Sequence, residues 1–229
     1  MLFSGILFDM DGVVIDTLHS VHVFWEELAR KHQVELTATI YSQHIYGIPA
    51  RHTLTHVFPH LSADEHQVVL ADIVVYENQL AFTAMNGVID FIRSLKQHQI
   101  KAALVTMALP HKVRSVFDQL DLNNLFTAVV TADDVKKGKP DPQCYLLGAQ
   151  HLGISPQECI VFEDAIAGVK AGVAAGATCI GIQQASNAPA LLEVGARYVV
   201  PDFTFIGFEA DGDDLNLHIG ENSLPFKHD

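Results

Sequence analysis

Positive charge is the scarcest property of this 229-residue chain: 14 Lys plus Arg stand against 27 Asp plus Glu, a formal net charge of −13. Phosphate backbones and anionic membrane surfaces reward clustered Lys and Arg, so the balance argues against nucleic acid or a membrane as partner. A small anionic substrate remains compatible, provided the few cations gather where it sits. Cysteine is sparse as well. Cys144, Cys159 and Cys179 are odd in number and widely spaced, which reads as buried free thiols of a reducing compartment and not as a disulfide frame. No apolar run approaches the roughly 18 residues of a membrane-spanning helix, and Met1 to Asp9 lacks the basic start of a signal peptide. What the chain does have is apolar substance: 49% hydrophobic against 18% charged residues, enough to bury a full core without staples. The expectation is a soluble, acidic, cytoplasmic protein, either one large domain or one core carrying an insertion.

Short apolar runs organise the chain. Gly5-Ile6-Leu7-Phe8 stops at Asp9, as a strand buried on both faces would. Ala102–Thr106, Ala128–Thr131, Cys159–Phe162 and Thr178–Ile182 are of the same kind, and Tyr198-Val199-Val200 is a weaker sixth. Helical patterns lie between them: Asn86 to Gln97 with Val88, Phe91, Ile92 and Leu95 on one stripe, and Pro110 to Leu120 with Val113, Val116 and Phe117. A third runs from an Asp141 cap with Pro142 at its first position to Gly153. This alternation predicts an α/β fold, a doubly wound parallel sheet with helices on both faces.

Residues 17–84 break the rhythm. They hold no strong strand but two amphipathic helices, one with Leu18, Val21, Trp25 and Leu28, the other opened by the capping-box pair Ser62 and Glu65 and carrying Val69, Ile73, Tyr76 and Leu80. The economical division is a core of residues 1–16 and 85–229 with a helical cap of residues 17–84 inserted after the first strand. Sheet ligands bind beyond the carboxyl ends of strands, so such an insertion is placed to be a lid. The segment 201–229 has little period and stays unassigned. Its Asp211-Gly212-Asp213-Asp214 lacks the spacing of a calcium loop and reads as a solvated turn.

The chemistry concentrates in acids at strand ends. Asp9 and Asp11 stand two residues apart, before a Gly12 that allows a sharp turn. Glu163 and Asp164 end another buried run. Carboxylates massed there are costly unless a cation joins them, and hard oxygen ligands from two strand ends suggest one Mg²⁺ completed by water and a substrate phosphate. Thr106 and Lys139 stand at or beyond other strand ends, a hydroxyl and an ammonium suited to phosphoryl oxygens.

In this order, Asp9/Asp11, Thr106, Lys139 and Glu163/Asp164, the chain resembles the haloacid dehalogenase (HAD) superfamily over about residues 3 to 182. The insertion makes it similar to the helical-cap members, phosphoglycolate phosphatase and β-phosphoglucomutase among them. Lys136-Lys137-Gly138-Lys139-Pro140-Asp141-Pro142 and Phe162-Glu163-Asp164-Ala165-Ile166-Ala167-Gly168 look most like the sugar- and polyol-phosphate phosphatases. The resemblance implies a Rossmann-like core and a Mg²⁺-dependent phosphatase of a small phosphorylated metabolite; one core plus lid is self-sufficient, so a monomer is expected. The same resemblance implies Asp9 as nucleophile and Asp11 as general acid and base. Mg²⁺ would be held by Asp9, the Asp11 carbonyl and Asp164, with Glu163 close by through water. Lys139 would tie Asp9 to phosphate, with Thr106 and the Met107 backbone N–H on phosphoryl oxygens. The alternative it leaves is a mutase of the β-phosphoglucomutase type. Many capped relatives, mutases among them, carry a His four residues beyond the Thr of the first motif. Val21 occupies that place here, with His19 and His22 around it, which leans against a mutase. A dehalogenase proper lacks the second Asp, and the intact constellation disfavours a binding protein without catalysis.

Arg51 is the single Arg or Lys between Lys31 and Arg93 and is the expected substrate contact of the insertion. Eight of the thirteen histidines fall between His19 and His66, and His52, His56 and His60 recur every four residues. Pro59 interrupts that series, so a polar surface is expected there in place of a zinc site. Phe24 and Trp25 are expected in the core of the insertion.

Overall fold

Six of the apolar runs pair side by side in the computed structural model, which describes residues 2–211 and 214–227. Strands β1 (Gly5–Phe8), β2 (Lys101–Val105), β3 (Ala128–Val130), β4 (Cys159–Glu163), β5 (Thr178–Ile182) and β6 (Tyr198–Val200) form one parallel sheet, in the order β3-β2-β1-β4-β5-β6. The weak sixth run is therefore the edge strand. Parallel strands need crossovers, and the helices supply them on both faces, so the doubly wound sheet expected from the alternation is the fold. Side-chain alternation divides the core. Ile6, Phe8, Leu104, Ile160 and Phe162 face helix α5 (Val88–Gln97) and α6 (Pro110–Leu120). Leu7, Ala103, Val105 and Val161 face α7 (Gln143–Leu152), α8 (Ile166–Ala175) and α9 (Ala188–Glu193). Cys144, Cys159 and Cys179 are free and buried, two on strands and one on α7.

Register sets where the site forms. Phe8 pairs with Leu104 on one side and with Phe162 on the other. Asp9, Thr106 and Glu163 each lie within two residues beyond these partners, so all emerge at one level of the sheet's carboxyl edge.

Between β1 and β2 the chain makes α1 (Leu18–His32), the short α2 (Ala38–Ile40) running into a wide turn at Tyr41–Ile45, α3 (Ala50–Val57) and α4 (Ala63–Glu77). They share an apolar cluster of their own, with Trp25, Leu28, Tyr41, Leu54, Phe58 and Val69. The Ser62 hydroxyl accepts from the Glu65 N–H at 3.3 Å, and the Glu65 carboxylate accepts from the Ser62 N–H at 2.8 Å, the reciprocal cap read from the sequence. Leu80 falls beyond the end of α4. The outgoing and returning connections pair with each other, Asp16 N–H donating to Thr83 O at 2.9 Å and Met85 N–H to Val14 O at 3.1 Å. No helix among the described residues is long and apolar enough to cross a membrane.

Three local readings shift. The helix expected from Asn86 starts at Val88, because Gly87 takes a left-handed φ of 75° and leaves no room for a Cβ beside the Phe203 backbone. The helix expected from Pro142 starts at Gln143, whose N–H donates to Asp141 Oδ1 at 3.0 Å. The unassigned segment carries a second sheet, antiparallel, of β7 (Ile206–Asp211), β8 (Asp214–Ile219) and β9 (Asn222–Phe226). Its inward residues Leu215, Leu217, Ile219, Leu224 and Phe226 join the core cluster of β1, α5 and Phe203. The alternation of Leu215, Leu217 and Ile219 was the available signal, diluted by intervening Asn and His. The turn read at Asp211–Asp214 centres on Gly212 and Asp213, outside the described residues.

Candidate active site

Lys139 organises the floor of the site. It lies after β3 with its side chain fully buried, and its Nζ donates to Asp9 Oδ1 at 2.6 Å, Glu163 Oε1 at 2.5 Å and Val105 O at 3.3 Å. Three acceptors match its three protons, which is how a buried ammonium becomes tolerable. Burial alone would lower its pKa, but Asp9 and Glu163 together hold it above the ordinary lysine range. Glu163 is itself saturated: Tyr145 O–H donates to Oε1 at 2.6 Å, and the N–H groups of Asp164 and Ala165 donate to Oε2 at 3.0 and 3.2 Å. Gly168 makes room for it, since a Cβ there would lie 1.7 Å from Glu163 Oε1.

Asp9, at the end of β1, is 3% exposed. Burial raises its carboxyl well above the usual range; Lys139 opposes this, and Glu163 and Asp11 add to it. Asp164 is raised for the same first reason, burial, and next by Glu163 and Asp9. Gly12 lets Asp164 approach: it holds φ at 76°, and a Cβ there would stand 2.1 Å from Asp164 Oδ2. Asp9, Glu163 and Asp164 each offer an oxygen, all within 4.8 Å of one another, the one such potential metal-ligand group among the described residues. Three carboxylates with one ammonium between them leave an excess of hard anionic oxygen. That donor set fits Mg²⁺.

Above this floor a cavity of about 440 Å³ opens between the sheet edge and the insertion. Asp9, Asp11, Asp164, Thr106, Met107 and Arg51 all line it. Lys139 and Glu163 do not line it and are buried beneath. The buried Thr106 hydroxyl accepts from the Ala108 N–H at 3.0 Å, which orients it at the strand end. Arg51 stands in the first turn of α3, exposed on the cavity's far wall. Phe24 and Trp25 face two ways: they pack against Tyr76 and Phe58, and they also line the cavity.

Besides Lys139 and Arg51, the lysines around the site divide. Lys136 reaches the cavity wall, but Lys137 is solvent-exposed and pairs with Asp141 at 3.7 Å. The missed cation is Lys112, in the first turn of α6, buried with its Nζ 2.7 Å from Asp11 Oδ1 and 3.2 Å from Glu77 Oε1. A lysine facing the positive end of its own helix was the only hint in the sequence. Tyr145 was visible only as part of an apolar stripe, although a buried phenol implies a partner for its hydroxyl.

Among the described residues no histidine lines the cavity. His22 bonds the Tyr46 hydroxyl and stacks on Tyr41, while Val21 takes the cavity-facing place beside it. His52 and His56 stack 3.8 Å apart, but His60 lies against His32 and Phe58, so the fourfold series does not converge.

Known proteins share this architecture. A family model of haloacid dehalogenase-like hydrolases matches residues 3–176. The chain is 36% identical over 201 residues to hexitol phosphatase A of Escherichia coli, covering 85% of this chain and 89% of that one. It is 31% identical over 206 residues to validoxylamine A 7'-phosphate phosphatase of Streptomyces hygroscopicus, covering 89% and 95%. Among solved structures, β-phosphoglucomutase of Clostridium difficile superposes with a TM-score of 0.73 at 24% identity, over 88% of this chain and 92% of that one, a likeness of fold.

Proposed function

The chain belongs to the haloacid dehalogenase-like hydrolases and is a phosphoric monoester hydrolase, and from that premise we propose a Mg²⁺-dependent phosphatase of a small sugar or polyol phosphate. The observation that carries the reading is Asp9: a buried carboxylate, oriented by Lys139, opening into a cavity that Asp11 and Asp164 share. Asp9, Asp164 and the Asp11 carbonyl would hold the metal, while Glu163, already bonded to Lys139, Tyr145 and two backbone N–H groups, would support Asp9 from below. When bound, Mg²⁺ offsets the charge between the phosphate and its attacking carboxylate.

The remaining work falls to side chains. A free oxygen of Asp9 attacks phosphorus while Lys139 holds the other. The bond from phosphorus to the ester oxygen breaks, and Asp11 gives that oxygen its proton. The aspartyl-phosphate on Asp9 is then split by water, which loses a proton to Asp11 and restores the Asp9 carboxylate. Thr106 and the Met107 N–H take the phosphoryl oxygens, and Arg51 meets the alcohol portion from the insertion. All of these residues come from one chain, so the site needs no second copy.

The fold likeness to β-phosphoglucomutase keeps a phosphomutase as second reading. Against it, no histidine among the described residues lines the cavity. The test is phosphate release from a panel of sugar and polyol phosphates with Mg²⁺ and no bisphosphate activator. Hydrolysis that stops with a chelator and returns with Mg²⁺ is expected. Isomerised sugar phosphate with little free phosphate would establish the mutase instead, and activity indifferent to chelation would remove the metal.

A further inference from the structure

Lys112 has no part in the chemistry above, yet the fold keeps it where a lysine is expensive. It is 7% exposed and sits at the N-terminal turn of α6, where the helix dipole repels a cation. Its ammonium finds two carboxylates from opposite sides. Asp11 Oδ1, on the core, is at 2.7 Å, and Glu77 Oε1, on the last residue of α4, is at 3.2 Å. The other oxygen of Glu77 lies 3.1 Å from His111 Nε2, so two successive residues of α6 grip one carboxylate of the insertion.

Asp11 needs such a restraint. It lies in the sharp turn that Gly12 makes, and its side chain is 28% exposed, against 5% for that of Asp9. A short acid that must meet the leaving oxygen loses most of its effect when displaced by about 1 Å. Lys112 takes Oδ1 and so fixes the direction of the carboxyl group, leaving Oδ2 for the ester oxygen.

We propose that Lys112 is a positioning residue for Asp11, and that Glu77 links this positioning to the seating of the helical insertion on the core. The acid is then aligned only where α4 closes the cavity over the ester, so proton delivery and enclosure of the substrate go together. The inference rests on the proposed role of Asp11 as proton donor.

The leaving group provides the test. An alkoxide needs a proton as it departs, whereas p-nitrophenolate does not, and kcat/KM covers the steps up to that departure. Lys112→Met should lower kcat/KM for a sugar or polyol phosphate by about 10- to 100-fold while leaving that for p-nitrophenyl phosphate nearly unchanged. Lys112→Arg, which can still reach both carboxylates, should restore most of the difference. Glu77→Gln should lose activity in the same pattern, and the double variant should be no worse than Lys112→Met alone, since both act through one contact. Equal losses for the two esters would mean a merely structural lysine and overturn the assignment, as would wild-type rates for both. A wild-type enzyme inert toward every ester would instead remove the phosphatase reading, and this inference with it.

Discussion

At the scale of single residues the site is governed by how one buried ammonium is shared. Lys139 neutralises one of two carboxylates at a time only in a formal sense; geometrically it binds both Asp9 and Glu163, and Glu163 is further held by Tyr145 and two backbone N–H groups. This division separates chemistry from support. Asp9 opens to the cavity, whereas Glu163 is enclosed below it. Asp9→Asn should therefore abolish turnover, by at least about a thousandfold, while the fold survives because Lys139 keeps Glu163 as partner. Phosphate release and a thermal melt check both halves. Substantial residual hydrolysis would refute Asp9 as nucleophile.

At the scale of elements, the strand ends bring Asp9, Thr106 and Asp164 together, and the insertion supplies the facing wall of the cavity. The two are joined by paired connections at Val14–Asp16 and Thr83–Met85 and by the Glu77 contact with α6. Arg51 belongs to that far wall, on α3. Arg51→Ala should raise KM for a preferred sugar phosphate by about tenfold and leave KM for p-nitrophenyl phosphate nearly unchanged, the size of one lost hydrogen bond to a charged group. Equal effects on the two esters would mean that α3 does not select substrate.

At the scale of the whole molecule, the second sheet is part of the main core. Phe91 stacks with Phe203 and Phe208 at centroid distances of 5.5 and 5.8 Å, and Phe3 meets Phe226 at 6.0 Å. Removing residues 206–227 strips Ile206, Leu215, Leu217, Ile219, Leu224 and Phe226 from this cluster. Each buried side chain of this kind contributes roughly 1.5–3 kcal/mol, so six rival the entire stability of about 5–15 kcal/mol of an ordinary domain. The shortened chain should melt at least about 10 °C lower or fail to fold, by thermal melting and size-exclusion chromatography. A truncated protein with the melting temperature of the full chain would show that the second sheet is an appendage.

The parallel sheet and the order of the chemical residues along it were legible in the sequence, because both rest on local spelling. An apolar run that stops at a carboxylate is a buried strand with its acid at the carboxyl edge, and parallel pairing in register then brings such ends together whatever lies between. Asp9, Thr106 and Glu163 are gathered by that rule alone. The second sheet was not legible, since its strands alternate weakly and gain their meaning only from the aromatic surface they cover. Nor was Lys112. Asp11, Glu77 and Lys112 come from three parts of the chain, Lys112 lying 101 residues from Asp11 and separated from Glu77 by α5 and β2. An ion pair of that kind has no local signature. Only the packing of α4 and α6 around the end of β1 decides that it exists.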